Sequence, residues 1–167
     1  MTGSIGIVGG GAWGTALAIN ARRAGCDVLL WAHEADTVAS INDDHENPVF
    51  LPGIALDPAI RATADLSGLA ERDIVLLVMP SAHFRTVAHG LAGALKPGAI
   101  ACVCTKGIEL ATGELMTGIA ADELPEARIA ALSGPSFAAD VARDLPTAVT
   151  VAGADDVPAI LADALTS

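Results

Sequence analysis

Short apolar runs alternate along this chain with longer segments of helical period. Ile5-Gly-Ile-Val8 has strand character and ends in three glycines, Gly9 to Gly11. Residues 13–24 carry apolar positions at helical spacing, and Gly25 stands at the C′ position that closes a helix. Val28-Leu-Leu-Trp31 predicts a second strand and residues 34–42 a helix. Residues 43–58 read as a loop, with Pro48, Pro52, Gly53 and Pro58, and residues 60–63 as a weak strand. The continuous apolar character of residues 73–78 predicts a strand buried on both faces. A helix over 81–95 follows, stopped by Pro97-Gly98. Then come a strand over 99–104, a helix over 112–124 capped by Thr112, and a strand over 128–132. A helix over 135–143 starts with Pro135 near its first position. A strand over 148–151 and a helix over 157–165 complete the series, with no internal repeat. This alternation predicts an α/β fold: a Rossmann-like, doubly wound, mostly parallel sheet with helices on both faces.

Length and composition narrow the function. The 167 residues suit one domain with a core of its own. Apolar residues make up 52% and charged residues 17%, which excludes a disordered chain. The net charge of −11 removes the basic footprint that nucleic acid or an anionic membrane would need. Mean hydropathy is high, at +0.52. Yet the most apolar run, Ile74 to Met79, stops at Pro80, far short of the ~20 residues of a helical span. The amino terminus has no basic start of a signal peptide. Three cysteines, Cys26, Cys102 and Cys104, form no disulfide framework and point to a reducing compartment. Cys102 and Cys104, two apart in a strand, share one face and read as core rather than as metal ligands. No metal site is expected.

The glycines carry the first chemistry. Gly9-x-Gly11-x-x-Gly14 follows a strand and opens a helix. In that context the spacing allows a tight turn, close approach of a pyrophosphate, and close helix–strand packing. The helix N-terminus adds free N–H groups and a positive dipole end. Thr15 in place of a lysine after Gly14 excludes a mononucleotide P-loop. The second strand ends at Trp31-Ala-His-Glu34. Glu34 lies about 20 residues after Gly14, where an acidic residue reads a ribose 2′-OH. His33 stands closer to the strand tip and faces a 2′-phosphate equally well. The residues leave NAD and NADP open, leaning to NADP or dual use.

Three further strands end in polar groups: Pro80-Ser81, Thr105-Lys106-Gly107, and Ser133-Gly134-Pro135-Ser136. Ligands of doubly wound sheets bind at the carboxyl ends of the strands. Lys106, one of two lysines, offers a cation to a phosphorylated substrate there. The plainer reading is a lysine snorkelling at the sheet edge. Gly134-Pro135-Ser136 predicts a second helix N-terminus with a hydroxyl, able to approach an anion.

Five motifs together resemble bacterial glycerol-3-phosphate dehydrogenases. They are Gly9-Gly-Gly-Ala-Trp-Gly-Thr-Ala-Leu-Ala18, Leu51-Pro-Gly53, Thr105-Lys-Gly-Ile-Glu109, Leu132-Ser-Gly-Pro-Ser-Phe-Ala138 and Pro146-Thr-Ala-Val-Thr-Val151. The resemblance implies a cytoplasmic oxidoreductase that uses NADH or NADPH. Its reaction converts dihydroxyacetone phosphate to sn-glycerol 3-phosphate for phospholipid biosynthesis. It implies that Trp13, His33 and Ala138 bind the cofactor beside Gly9, Gly11 and Gly14. Lys106 would touch cofactor and substrate, and Gly134 and Ser136 the substrate. Arginine is more usual at position 33, serine at Ala12 and valine at Met79. The family's second, helical domain carries the general acid/base lysine and an arginine–asparagine pair. None of these is present here, so no catalytic residue is assigned in residues 1–167. The chain is expected to be an isolated cofactor domain, inactive alone, whose partner is its own C-terminal domain, in a possible homodimer. Two rivals remain: a non-catalytic dinucleotide-sensing module, and the cofactor domain of another hydroxy-acid or sugar-acid dehydrogenase.

Overall fold

The central aliphatic runs assemble into one sheet because each is too apolar to leave either face in water. The computed structural model describes residues 3–166. Its strands are β1 (Ser4–Val8), β2 (Asp27–Trp31), β3 (Arg61–Thr63), β4 (Ile74–Leu77), β5 (Ile100–Val103), β6 (Arg128–Ser133) and β7 (Thr150–Gly153). The helices are α1 (Ala12–Arg23), α2 (Ala35–Ala39), α3 (Phe84–Leu91), α4 (Met116–Glu123), α5 (Ala138–Ala142) and α6 (Val157–Leu165). Strand order is β3-β2-β1-β4-β5-β6-β7. The doubly wound, mostly parallel sheet read from the sequence is therefore the observed fold.

The chain winds outward from β1 to β3, then returns to place β4 on the other side of β1. The crevice between β1 and β4 is thus the topological switch point, where ligands of such sheets bind. Register puts the strand ends level: Val8 lies opposite Trp31 and Leu77, Leu77 opposite Val103, and Val103 opposite Ala131. Loops leaving β1, β4, β5 and β6 therefore emerge in one row. One core layer packs α1, α5 and α6 on the sheet around Ile5, Ile7, Leu17 and Leu161. The other packs α3 and α4 around Leu77, Phe84, Leu91 and Ile119. Cys26, Cys102 and Cys104 are free and buried, the last two in the same layer. Among the described residues no helix is long and apolar enough to cross a membrane.

Several boundaries differ from expectation. The helix expected over 34–42 is α2 followed by a wider π-type turn, Ser40–Asp44. The helix expected over 81–95 begins as a 3-10 turn, Ser81–His83, and α3 ends at Leu91. Thr112 is not a helix cap. Its hydroxyl donates to Glu109 Oε2 (2.7 Å) and accepts from the Glu114 N–H (3.2 Å), closing a loop four residues before α4. Pro135 does not open α5, which starts at Ala138 after an extended Phe137. The strand expected over 148–151 is shifted to β7, which pairs antiparallel with β6. β7 is an exposed edge, and an antiparallel edge tolerates water better than a parallel one. A 3-10 turn at Leu66–Leu69, with Asp65 accepting from the Ser67 N–H (2.9 Å), had no counterpart in the predicted elements.

Candidate functional site

The turn between β1 and α1 is fixed by close packing. Gly9 has a φ of +136°, a backbone state that favours glycine, and an added Cβ would lie 3.0 Å from the Val78 carbonyl. A Cβ on Gly14 would lie 1.9 Å from the Gly9 oxygen, so only glycine lets α1 rise this close to β1. Gly11 is different. Its φ of −71° and ψ of 179° suit any residue, and a Cβ there meets nothing within 4 Å. The chain itself gives no reason for glycine at position 11, whereas a body approaching from outside would. α1 then presents its free N–H groups at this open side.

Past the turn, a cleft of about 430 Å³ runs along the strand ends. Its walls include Trp13 of α1, Ser81 after β4, Lys106 after β5, and Gly134, Ser136 and Ala138 after β6. The Thr105 hydroxyl donates to the Met79 carbonyl (2.6 Å), tying the ends of β4 and β5 together. Lys106 is exposed, and its Nζ donates to the Gly134 carbonyl (3.3 Å) across the end of β6. Ser136 Oγ donates to the Ala148 carbonyl (2.9 Å). An added Cβ on Gly134 would lie 2.8 Å from that same carbonyl. Segment 134–136 therefore packs closely against residues 148–149. The second helix N-terminus expected there is absent, because the backbone is committed to that neighbour until Phe137. α5 is also only five residues long.

Of the sequence-predicted site residues, Trp13, Lys106, Gly134, Ser136 and Ala138 share the cleft. Gly9, Gly11 and Gly14 form the turn at its edge. His33 stands apart, exposed beyond β2, its ring 6.3 Å from that of Trp31. Glu34 is the extended residue before α2 and is also exposed. Both lie at the tip of β2, the strand next to the turn. A separate cleft of about 350 Å³, lined by His89, Lys96, Asp122 and Glu126, contains none of these residues. Among the described residues no group of three or more His, Cys, Asp or Glu side chains converges as a metal site.

Two features escaped the sequence. Asn47, in the loop after α2, is buried and hydrogen-bonds to the glycine turn. Arg85 of α3 gathers three carboxylates, Glu109 (2.8 Å), Glu114 (2.8 Å) and Glu123 (3.1 Å), and so fastens the loop that begins at Lys106. These bonds hold the Glu109 carboxyl down to about 2, Arg85 first and Thr112 second.

Residues 4–158 match the model of the NAD-dependent glycerol-3-phosphate dehydrogenase N-terminus. The chain is 58% identical over 148 residues to the glycerol-3-phosphate dehydrogenase (NAD(P)+) of Paramagnetospirillum magneticum, covering 89% of this chain and 54% of that one. It is 55% identical over 152 residues to the enzyme of the same name from Caulobacter vibrioides, covering 91% and 46%. The crystal structure of glycerol-3-phosphate dehydrogenase from Coxiella burnetii superposes with a TM-score of 0.92 at 32% identity, over 99% of this chain and 51% of that one. The chain spans about half the length of the curated relatives it matches. With its switch-point crevice, its glycine turn and this match over nearly all of its length, the chain belongs to the family of NAD-dependent glycerol-3-phosphate dehydrogenase N-terminal domains.

Proposed function

We propose that this chain is the cofactor domain of a two-domain dehydrogenase that reduces dihydroxyacetone phosphate to sn-glycerol 3-phosphate with NADH or NADPH. The observation that carries this reading is the single row of strand ends, which sets the open side of Gly11 and the Lys106 cleft along one crevice. Gly9 and Gly14 shape the turn, and the N–H groups from Gly11 onward receive the pyrophosphate. Trp13 and Ala138 flank the cleft where the nicotinamide half fits, and His33 at the tip of β2 meets the adenosine ribose. The Lys106 ammonium attracts the substrate phosphate and faces the cofactor, with Gly134 and Ser136 as its neighbours on the substrate side. When bound, the dihydronicotinamide supplies a hydride to the ketone carbon. The proton comes from a lysine outside residues 1–167, in a helical second domain that completes the site. A cytoplasmic homodimer and a role in phospholipid biosynthesis belong to the same reading.

Titrating NADH and NADPH into the chain and following tryptophan emission tests it, since Trp13 lines the cleft. Saturable quenching is the expected result. Dihydroxyacetone phosphate reduction is expected from the longer protein and not from the chain alone. A chain that binds neither dinucleotide overturns the proposal, and robust turnover by residues 1–167 overturns its two-domain part.

A further inference from the structure

The Leu51-Pro-Gly53 motif has no part in the function above, and the loop that contains it carries a buried amide. Leu51 and Leu56 are buried, and a bridge between Glu46 and Ala55 closes the loop across itself. The Leu51 N–H donates to the Asn47 carbonyl (2.8 Å) and the Leu56 N–H to that of His45 (2.8 Å). This packing drives Asn47 inward, where it is 1% exposed. Its Nδ2 has two protons, and both are used: one bond goes to the Gly10 carbonyl (2.8 Å), the other to Thr15 Oγ1 (2.7 Å). Its Oδ1 accepts from the Phe50 N–H (3.4 Å). The Thr15 hydroxyl also reaches the Gly10 carbonyl (3.4 Å), so two donors converge on one buried peptide oxygen.

Consider what that bond does to the next peptide unit. The peptide between Gly10 and Gly11 is planar and trans, so its carbonyl and its N–H point in opposite directions. Holding the Gly10 oxygen inward aims the Gly11 N–H the opposite way, away from the buried Asn47 side chain. Gly9, Gly10 and Gly11 form the most rotationally free stretch of the chain. Without a tether, rotation about Gly10 ψ and Gly11 φ turns the plane over and presents an oxygen where an N–H now stands. An oxygen there repels an anion.

We propose that Asn47 is a positioning residue for the pyrophosphate of the dinucleotide, acting through the Gly10 carbonyl to present the Gly11 N–H. The Leu51-Pro-Gly53 motif then serves to hold the loop that delivers Asn47. The inference rests on the reading of this crevice as the dinucleotide site.

The experiment compares adenosine with ADP, ligands that differ by the pyrophosphate alone. Asn47→Asp keeps the shape and removes both donors. Calorimetry should give an ADP and NADH affinity about tenfold weaker or more, with adenosine affinity unchanged. In the wild-type chain, ADP should move the Gly11 amide proton downfield in 15N-edited spectra far more than adenosine does. That measurement stands even if the variant fails to fold. Equal losses for ADP and adenosine, no loss for either, or a Gly11 amide indifferent to ADP would each overturn the proposal. A wild-type chain that binds neither NADH nor ADP overturns the dinucleotide reading itself, and the inference with it.

Discussion

The carboxyl end of the sheet has two halves, held by different forces. On the β1 side the turn is set by steric fit: Gly14 against the Gly9 oxygen, Gly10 with an added Cβ only 2.6 Å from Ala32 Cβ, and Asn47 sealed beneath. On the β5–β6 side, Lys106 and Ser136 each hold one backbone carbonyl near water. Phe137, Leu145 and Val149 around them are largely exposed. In the first half Gly9, Gly10 and Gly14 are packed into the core and cannot change without disturbing the fold, whereas Gly11 is open. Apart from Gly134, the second is a set of side chains laid on a finished sheet, free to be chosen for chemistry.

Two glycine variants give the largest effects and probe the first half from both sides. Gly14→Ala places a methyl 1.9 Å from a backbone oxygen that no side-chain rotation can move. It should cost about 3 kcal/mol of stability, the upper part of the usual overpacking range. Gly11→Val adds a larger group in open space. It should cost about 1 kcal/mol, the usual penalty for an aliphatic residue at an N-cap. Dinucleotide affinity should nevertheless fall by about a hundredfold, ~2.7 kcal/mol. Urea unfolding and calorimetry separate the two. Equal losses of stability in both variants would break the distinction between a glycine the fold requires and one a ligand requires.

Lys106→Ala probes the second half and should do the reverse. One exposed N–H···O contact of 3.3 Å is lost, so stability should stay within about 0.5 kcal/mol. In the longer protein, kcat/KM for dihydroxyacetone phosphate should fall by about 10²-fold, as for loss of one charge-stabilising donor. Normal kinetics with a lowered melting temperature would make Lys106 a snorkelling surface lysine instead.

Legibility in the sequence follows the same division. Strands β1, β2, β4 and β5 were readable because each is a short, mostly apolar run with a glycine, proline or polar break soon after its end, whereas β3 (Arg-Ala-Thr) gave only a weak signal and β7 was displaced by two residues. α1 was readable because Gly11 and Gly25 bracket it, and Gly25 does close it, at a φ of +89° with its N–H bonded to the Arg22 carbonyl. The row of strand-end residues followed from topology alone. Asn47 was not readable, because its burial depends on where Leu51 and Leu56 land, and a polar residue beside Pro48 looks like any loop residue. Thr112 misled for a related reason. Its hydroxyl fits a cap, but Glu109 and the Glu114 N–H claim it first. The Arg85 cluster joins residues 24 to 38 positions apart, beyond the reach of any local pattern.

That cluster supplies the smallest effect. Arg85 fastens the loop that starts at Lys106, so the exposed half has one electrostatic anchor. Arg85 hydrogen bonds hold the Glu109 carboxyl at about 2, and bonds from His89 and then Arg85 hold Glu123 below its ordinary range. A carboxyl depressed in the folded state stabilises above its unfolded pKa, about 4.3 for glutamate, and the gain is lost as pH falls through the folded value. The anchor should therefore be intact at neutral pH and weaken between about pH 4.5 and pH 2. Arg85→Met keeps the stem and removes the charge. Its melting temperature should lie slightly below that of the wild type at pH 7, because exposed pairs contribute little each, and the gap should close as the pH approaches 2. Amide protection relative to the intrinsic exchange rate in residues 107–115 should fall over the same range in the wild type and be low at every pH in the variant. No gap at pH 7 would mean that Arg85 acts by packing its stem, which methionine keeps, and that the exposed half of the crevice is, like the buried half, held by steric fit.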